Sequence, residues 1–374
     1  MNENILNMKP SGIRRFTALA KATPGCNMLT IGEPDFDTPE PIRAAAAQAM
    51  AMGLTHYAPN KGTDSLRKAI AEYETRRGME STMDNILVTV GATGALNTAL
   101  TGLLNPGEEV IIPIPAFPLY ESITTAAGAV SVFLDLKKSN FQIEKAALEA
   151  VISPKTRAIV LNSPNNPTGC VLSEESLNTV AELAEKHDFY ILCDNVYAAL
   201  SPEPVPDLTL RPELRDRCIL CQSFSKPWAM TGWRLGWLAA PAQLIDKFTL
   251  LQAAQIASVP TFLQKAAETA LQVEVQDMAA VYRKRREYML TRLDKMGLGY
   301  PRPEGAFYVF PDISRFGMDS ETFCIRLIEE GGLAAVPGSC FGGEGHIRLS
   351  YCYSDEELKE SLDRLEKFIR YINP

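Results

Sequence analysis

A chain of 374 residues is long enough for a large core and for two domains, and its 46% hydrophobic and 22% charged residues are ordinary for a globular enzyme. A formal charge of -8 with no lysine- or arginine-rich block argues against nucleic acid or an anionic membrane as the main partner. Residues 1–15 carry no apolar signal region and no stretch approaches the ~18 continuous apolar residues that cross a bilayer, so the expected location is cytoplasmic.

Met8-Lys-Pro-Ser-Gly-Ile-Arg14 is a polar segment that cannot fold alone and is expected to pack on something larger. A turn cluster, Gly32-Glu-Pro-Asp-Phe-Asp-Thr-Pro39, precedes an alanine-rich helix predicted over 39–52, with Thr38 as its cap and proline at its first position. Gly32 reads as a plain turn glycine or as a point of close backbone approach to a ligand. A second helix is predicted over 64–77. Residues 85–90 (Asn-Ile-Leu-Val-Thr-Val) read as a strand running into Gly91-Ala-Thr-Gly-Ala-Leu96 and an apolar helix. Such a joint brings free amides and the helix dipole to one place, which suits an anion, although it is common in α/β proteins and no G-x-G-x-x-G is present.

Further strands are predicted at 109–113, 130–136, 158–162, 190–194 and 218–224, most of them separated by helical segments. Continuous apolar strands in that alternation predict a mostly parallel sheet covered on both faces. Active residues in such sheets gather at the carboxyl ends of strands, and Gly91, Phe117, Asn166, Asp194 and Lys226 each end or follow one. The eight cysteines are scattered; Cys218 and Cys221 form a C-x-x-C, but three apart in a strand they face opposite ways, so buried thiols are expected. From 244 to 296 the pattern is helical, broken near Pro260. Strands at 304–311 and 345–351 and helices near 320–330 and 355–371 then predict a smaller α+β domain, joined by the N-terminal segment.

The stretch Gln-Ser-Phe-Ser-Lys-Pro-Trp-Ala-Met-Thr-Gly-Trp-Arg-Leu-Gly over 222–236 concentrates the chemistry. Lys226 follows a strand end, where a lysine of lowered pKa can form an imine with an aldehyde. Ser223, Ser225 and Arg234 supply hydroxyl donors and a planar cation for a phosphate dianion. Together they suggest pyridoxal phosphate, although taken alone such a segment is more often a solvated loop. Ser223 to Lys226 also satisfies the S-x-x-K pattern of serine acylases, whose companion S-D-N and K-T-G are absent. Asp194 ends an apolar strand, where a carboxylate is costly unless paired; a protonated pyridine nitrogen would be such a partner. Tyr197 could donate to the ring's phenolic oxygen, or serve as an ordinary buried tyrosine. Asn162-Ser-Pro-Asn-Asn-Pro-Thr-Gly169 is on its own a tight loop.

These elements, in this order, resemble the pyridoxal-phosphate-dependent aminotransferases of class I/II, the fold type I or aspartate aminotransferase-like superfamily. The resemblance runs over nearly the whole chain: Gly32-Glu-Pro-Asp, Tyr57, Gly91-Ala-Thr-Gly, Pro115-Ala-Phe-Pro, Asn165-Asn-Pro-Thr-Gly, Asp194-Asn-Val-Tyr, Ser223-Phe-Ser-Lys and Arg348. It implies an α/β fold with a mostly parallel seven-stranded sheet in a large domain (41–275), a small α+β domain (276–374) and an N-terminal segment (1–40) packed with the latter. Lys226 would hold pyridoxal 5'-phosphate as an internal aldimine and carry the proton in a ping-pong transfer from an L-amino acid to a 2-oxo acid. Asp194 would pair with the pyridine nitrogen, Tyr197 and Asn166 would bond the phenolic oxygen, and Phe117 would stack on the ring. Gly91, Ala92, Thr93, Ser223, Ser225 and Arg234 would hold the phosphate. Arg348 would grip the substrate α-carboxylate, with Gly32 and Asn166 nearby. Tyr57 would reach the phosphate of a neighbouring subunit, which makes the expected assembly a homodimer.

Phe117 replaces the tyrosine or tryptophan frequent at its position, which keeps stacking and loses a hydrogen bond. Pro227 after the lysine biases Lys226 toward extended backbone. The same residues could instead support β-elimination by a C–S lyase; a ligand-sensing DNA regulator would need a helix-turn-helix module that the chain lacks room for. The substrate side chain stays open: Lys21, Lys61 and Arg14 are candidate distal cations, and Phe36, Phe117 and Phe341 a candidate apolar wall.

Overall fold

The computed structural model describes residues 1–6, 8, 10–201, 203–274 and 276–372, without the side chains of Gln276 and Asp277. Lys9 of the N-terminal segment and Val275, the expected end of the large domain, lie outside the described residues. The short β1 (Asn27–Met28) is followed by the strands of a seven-stranded sheet: β2 (Ile86–Thr89), β3 (Glu109–Ile114), β4 (Val130–Asp135), β5 (Thr156–Asn162), β6 (Tyr190–Asp194), β7 (Cys218–Ser223) and β8 (Gly236–Ala239). Their order across the sheet is β2-β8-β7-β6-β5-β3-β4. The five strands from β7 to β4 run parallel, and β8 is antiparallel to both of its neighbours.

Helices cover both faces, so the central strands are buried almost residue by residue. One face of β5 to β8 meets the helix Gly91–Leu103, with Val160, Leu192, Ile219 and Leu238 against Leu96, Ala99 and Leu100. The other meets the helix Glu174–His187, with Ile159, Ile191 and Cys193 against Leu177, Val180 and Leu183. Each fully buried side chain of this kind contributes about 1.5–3 kcal/mol. The C-x-x-C divides as its spacing requires: Cys221 lies in the first cluster, Cys218 in the second, and all eight cysteines are free.

The strand β8 was not among the expected ones. It has four residues and follows Trp233 and Arg234, so its pattern merges with the polar stretch before it. The chain between β7 and β8 folds into turns holding Lys226 rather than a crossover helix, and β8 therefore returns antiparallel. The helix Asp64–Arg77 has the predicted bounds because both ends are marked: the Thr63 hydroxyl accepts from Leu66 N, and Gly78 turns left-handed with φ 105°. Thr38, by contrast, does not cap its helix. Pro39 occupies the cap of Glu40–Ala51, while the Thr38 hydroxyl donates to Ala229 O at 2.7 Å and accepts from Trp233 Nε1 at 3.0 Å. The threonine ties the Gly32–Thr38 turn to the stretch after Lys226.

The C-terminal part carries β9 (Tyr308–Val309), β10 (Leu333–Ala334), β11 (Val336–Pro337) and β12 (Ile347–Ser350). Strands β11, β12 and β9 form an antiparallel sheet, and β1 pairs parallel with β10. Only two residues of the strand expected over 304–311 are extended in a sheet. Its start is a turn in which the amides of Glu304 and Gly305 both donate to Gly169 O. Phe16, Ala20 and Leu29 enter the hydrophobic cluster of Tyr308, Leu327, Leu349 and Leu365.

Candidate active site

Lys226 lies in the turn that follows β7. Its Nζ donates to Gly32 O at 2.5 Å, and the rings of Phe307 and Tyr197 stand 5.7 and 6.0 Å from it. Burial, helped by Arg348 and Arg234 and opposed by Cys352 and Glu33, pushes its pKa down to about 8. An amine so placed is free base often enough near neutrality to act as a nucleophile. Gly32 is a glycine for want of room: a Cβ there would lie 1.8 Å from the Tyr308 hydroxyl.

At the end of β6, Asp194 is 4% exposed. Its Oδ2 accepts from the Tyr120 hydroxyl at 2.6 Å, and its buried Oδ1 has no partner among the described residues. Burial pushes the carboxyl up to about 6, resisted by the bond from Tyr120, the amide of Val196 and the charge of Lys226. A buried oxygen without a donor is expensive unless something completes it, and a cationic N–H is the best complement. The Tyr197 hydroxyl lies 2.9 Å from that of Tyr308, and the two rings meet edge to face. Asn162 donates to Asp194 O and accepts from Asn166 N, which fixes the loop after β5 to the end of β6.

Arg348, on β12, is 2% exposed. Its guanidinium donates to Asn166 Oδ1 at 2.9 Å and to Thr30 O at 2.5 Å, and rests 4.6 Å from the Tyr308 ring centre and 5.0 Å from that of Phe341. Its Nε has no partner among the described residues. A carboxylate approaching that edge would meet unused donors in a fixed plane.

The third group surrounds the first turn of the helix Gly91–Leu103, whose leading amides have no carbonyl within the helix. Arg234 is held left-handed, φ 54°, after the turn Thr231–Trp233, and donates to Thr231 O at 3.0 Å. Its guanidinium sits directly over Gly91, where a Cβ would come within 2.9 Å of Nη2. Gly236 permits a second close approach: a Cβ there would lie 2.7 Å from Gly91 C and 2.9 Å from Ala92 N. Ser223 and Ser225 stand 2.8 Å apart, Oγ to Oγ. Amides, hydroxyls and a guanidinium thus converge as an anion cradle.

One cavity of about 660 Å³ joins the three groups. Gly32, Ala92, Thr93, Phe117, Asn166, Asp194, Tyr197, Ser223, Ser225, Lys226, Arg234 and Arg348 all line it. Gly91 backs it through Arg234. Tyr57 does not line it and is 92% exposed. Of the three phenylalanines expected as an apolar wall, only Phe117 lines it; Phe36 packs on Tyr282 and Phe341 on Phe310. Of the three candidate distal cations Arg14 and Lys21 line it, whereas Lys61 is paired with Asp246 at 2.5 Å. Tyr120, Tyr308, Thr30 and Asn162 were missed. Only Tyr120 left a signal: it lies on the helix directly after Phe117, and Asp194 needs a donor.

The donor set fits pyridoxal phosphate. The orphaned Oδ1 suits a protonated ring nitrogen, the lowered amine suits an aldehyde, and the cradle suits a phosphate. A family model described as aminotransferase class I and II matches residues 25–365. The chain is 41% identical to the aspartate aminotransferase of Pyrococcus horikoshii, over 98% of this chain and 96% of that protein. It is 39% identical to aromatic-amino-acid aminotransferase 2 of Thermococcus litoralis, over 99% and 98%. The solved aspartate aminotransferase of Thermotoga maritima superposes with a TM-score of 0.95 at 36% identity, covering 99% of this chain and 100% of that one. The chain belongs to the class I and II aminotransferases, the pyridoxal-phosphate-dependent transaminases.

Proposed function

We propose the following division of labour in this transaminase. Pyridoxal phosphate, when bound, supplies an electron sink for the charge left at the substrate's Cα. Asp194 would hold its ring nitrogen through Oδ1, and Tyr197 and Asn166 Nδ2 would face its phenolic oxygen. Phe117 would stack on its ring. Gly91, Ala92, Thr93, Ser223, Ser225 and Arg234 would hold its phosphate, and Lys226 its aldehyde carbon. Arg348 receives the α-carboxylate of the amino acid on its unpaired Nε edge, beside the backbone of Gly32. Lys226 Nζ, released from the aldehyde carbon when the substrate amine takes its place, would take the Cα proton and return it at the end of the transfer. The observation that carries this reading is the presence, in one cavity, of an amine lowered to about 8 and a buried carboxylate with one partnerless oxygen.

The test uses the holoenzyme and single amino acids with no oxo acid added. Bleaching of the bound cofactor's absorbance with one equivalent of 2-oxo acid released is the expected half-reaction. Catalytic release of ammonia with the absorbance kept would overturn it. Replacing Lys226 with alanine is expected to abolish the reaction in a folded protein.

The homodimer belongs to the same reading. Tyr57 stands on a rim held by bonds from Thr261 to His56 O and from Asn60 to Ala257 O, and the helix Ala242–Ile256 that ends at this rim exposes Leu250 (67%) and Ile256 (38%). Large apolar side chains exposed on linked elements favour a partner there, and a second copy would receive Tyr57 at its cofactor phosphate. The division into 1–40, 41–275 and 276–374 is supported by the hydrophobic clusters: those of the sheet draw on residues of 41–275, and that of the C-terminal part takes in Phe16, Ala20 and Leu29 and reaches the sheet domain at Val196, Tyr197 and Leu200. No helix among the described residues is long and apolar enough to cross a membrane, and eight free cysteines accord with a reducing cytoplasm.

A further inference from the structure

Tyr308 lines the cavity, is buried and has no part in the division of labour above, yet it touches three of its members. Its hydroxyl lies 2.9 Å from that of Tyr197, and its ring centre lies 4.6 Å from the Arg348 guanidinium. The same hydroxyl stands where a side chain of residue 32 would be, against the glycine whose carbonyl accepts from Lys226.

Neighbouring elements hold it there without slack. Tyr308 opens β9 and pairs across the sheet with Ser350 of β12, two residues from Arg348 on the same face. Its backbone seats on the loop after β5, where a Cβ on Gly169 would come within 2.6 Å of Tyr308 O. The Tyr197 ring meets both Phe307 and Tyr308 edge to face, at 5.4 and 5.6 Å. Close packing of this kind keeps the two phenols together.

Proton accounting gives their bond a direction. Each hydroxyl carries one proton, and neither makes another hydrogen bond among the described residues. Were Tyr197 the donor, the proton of Tyr308 would be left against the Gly32 backbone with no acceptor among them, which is costly in a buried site. With Tyr308 as donor, the proton left over is that of Tyr197, free for a ligand in the cavity. Burial pushes the Tyr308 phenol up to about 12, against the pull of Arg348, so it keeps its proton through the working range of pH. A hydroxyl that accepts a hydrogen bond also donates more strongly.

Resting on the reading of this site as a transaminase with Tyr197 at the phenolic oxygen, we infer that Tyr308 is a positioning residue: its hydroxyl donates to Tyr197 and so commits the Tyr197 proton to the phenolic oxygen of bound pyridoxal phosphate. That oxygen is thereby held as an anion. An anion so stabilised has less affinity for the proton it would otherwise share with the nitrogen of Lys226, and that nitrogen loses its proton at lower pH. Tyr308 acts on this balance through Tyr197.

The test titrates the absorbance of the bound cofactor with pH in the holoenzyme, without substrate, for the wild type, Tyr308→Phe, Tyr197→Phe and the double variant. Phenylalanine keeps the ring beside Arg348 and Gly32 and removes only the hydroxyl. Tyr308→Phe is expected to raise the midpoint by about half to one pH unit, a gain in proton affinity of about three- to tenfold. Tyr197→Phe raises it further, and adding Tyr308→Phe to Tyr197→Phe changes nothing more, because the hydroxyl through which Tyr308 acts is gone. A purely structural role would move thermal stability and leave the midpoint where it is. An unmoved or lowered midpoint in Tyr308→Phe, or a second rise in the double variant, overturns the assignment of Tyr308 while the transaminase reading stands. If Tyr197→Phe leaves the midpoint unmoved, the placement of Tyr197 at the phenolic oxygen fails and the role of Tyr308 with it. If no absorbance band forms with pyridoxal phosphate, the reading of Lys226 itself fails, and this inference falls with that reading.

Discussion

Removing one hydroxyl, Tyr120→Phe, isolates the contribution of the Asp194 environment. The Tyr120 bond at 2.6 Å is the side-chain hydrogen bond to that carboxylate, and its other oxygen is already bare. A hydrogen bond to an ionised buried group is worth about 1.5–3 kcal/mol, and 1.36 kcal/mol is a factor of ten in ionisation. With its pKa at about 6, Asp194 in the wild type is ionised about tenfold over its acid form at pH 7. The lost bond shifts that ratio by about ten- to a hundredfold, leaving between equal amounts and a tenfold excess of the neutral acid. A neutral acid cannot balance a protonated ring nitrogen. The expected result is an affinity for pyridoxal phosphate about tenfold lower at pH 7, recovering toward wild type as pH rises to 9 and the carboxyl ionises again. Equilibrium dialysis of the apoprotein with the cofactor across pH 6–9 measures it. Equal affinities for variant and wild type at pH 7, or a loss that grows with pH, would refute the reasoning.

Four more outcomes follow from the same geometry. The apoprotein should combine with pyridoxal phosphate faster as pH rises through about 8, where Lys226 loses its proton; a flat rate between pH 7 and 9 would contradict the lowered amine. Because burial raises the folded pKa of Asp194 from 3.8 to about 6, the folded apoprotein binds this proton better than the unfolded chain does. That group therefore costs the apoprotein up to about 3 kcal/mol above pH 6, a cost that develops between roughly pH 4 and 6. Thermal denaturation should show this loss in the wild type and lack it in Asp194→Asn, itself inactive. Gly32→Ala should cost about 1–3 kcal/mol of stability and at least about tenfold in activity, since its methyl must displace Tyr308 from Tyr197; Tyr308→Phe in the same chain should restore part of the stability. Arg234→Lys should weaken cofactor retention by about tenfold or more while the folded stability changes little, because the exposed guanidinium grips as a planar fork that an ammonium cannot reproduce.

What was legible in the sequence is what is local. Each large-sheet strand long enough to show a continuous apolar run was recognisable, and so were Gly91, Asp194 and Lys226, because strand ends announce themselves within a few residues. β8 is no shorter than β2, but it follows the stretch around Trp233 and Arg234 and its pattern merges with it. The missed side chains are those whose meaning depends on distant partners: Tyr120 and Asp194 are 74 residues apart, Tyr197 and Tyr308 111, Arg348 and Thr30 318. Thr38 failed as a cap for the same reason, its hydroxyl being taken by residues 191 and 195 positions away. A capping rule weighs one turn of chain, and a tertiary bond outside that window outcompetes it.

The distribution of these residues has a consequence for how the cavity can change. Everything suited to the cofactor, from the cradle at Gly91 through Asp194 to Lys226 and Arg234, stands on the sheet and its connecting turns. Much of the remaining cavity lining comes from the two ends of the chain: Arg14, Lys21 and Gly32 near the start, and Arg348 and Tyr308 near the finish. Those ends are bound to each other by the pairing of β1 with β10 and by Ser350 N donating to Leu29 O. They meet the sheet machinery at many polar points, among them Lys226 with Gly32 O, Arg348 with Asn166, Tyr308 with Tyr197 and Thr231 with Glu33, and none of these four lies on the helix Gly12–Ala22. A substitution on the helix Gly12–Ala22 can therefore alter the charge offered to a substrate without moving any group of the cradle, whereas a change at Gly32 or Asn166 disturbs both. Variants at Arg14 and Lys21 should alter substrate preference at constant cofactor affinity, and variants at Asn166 should move the two together.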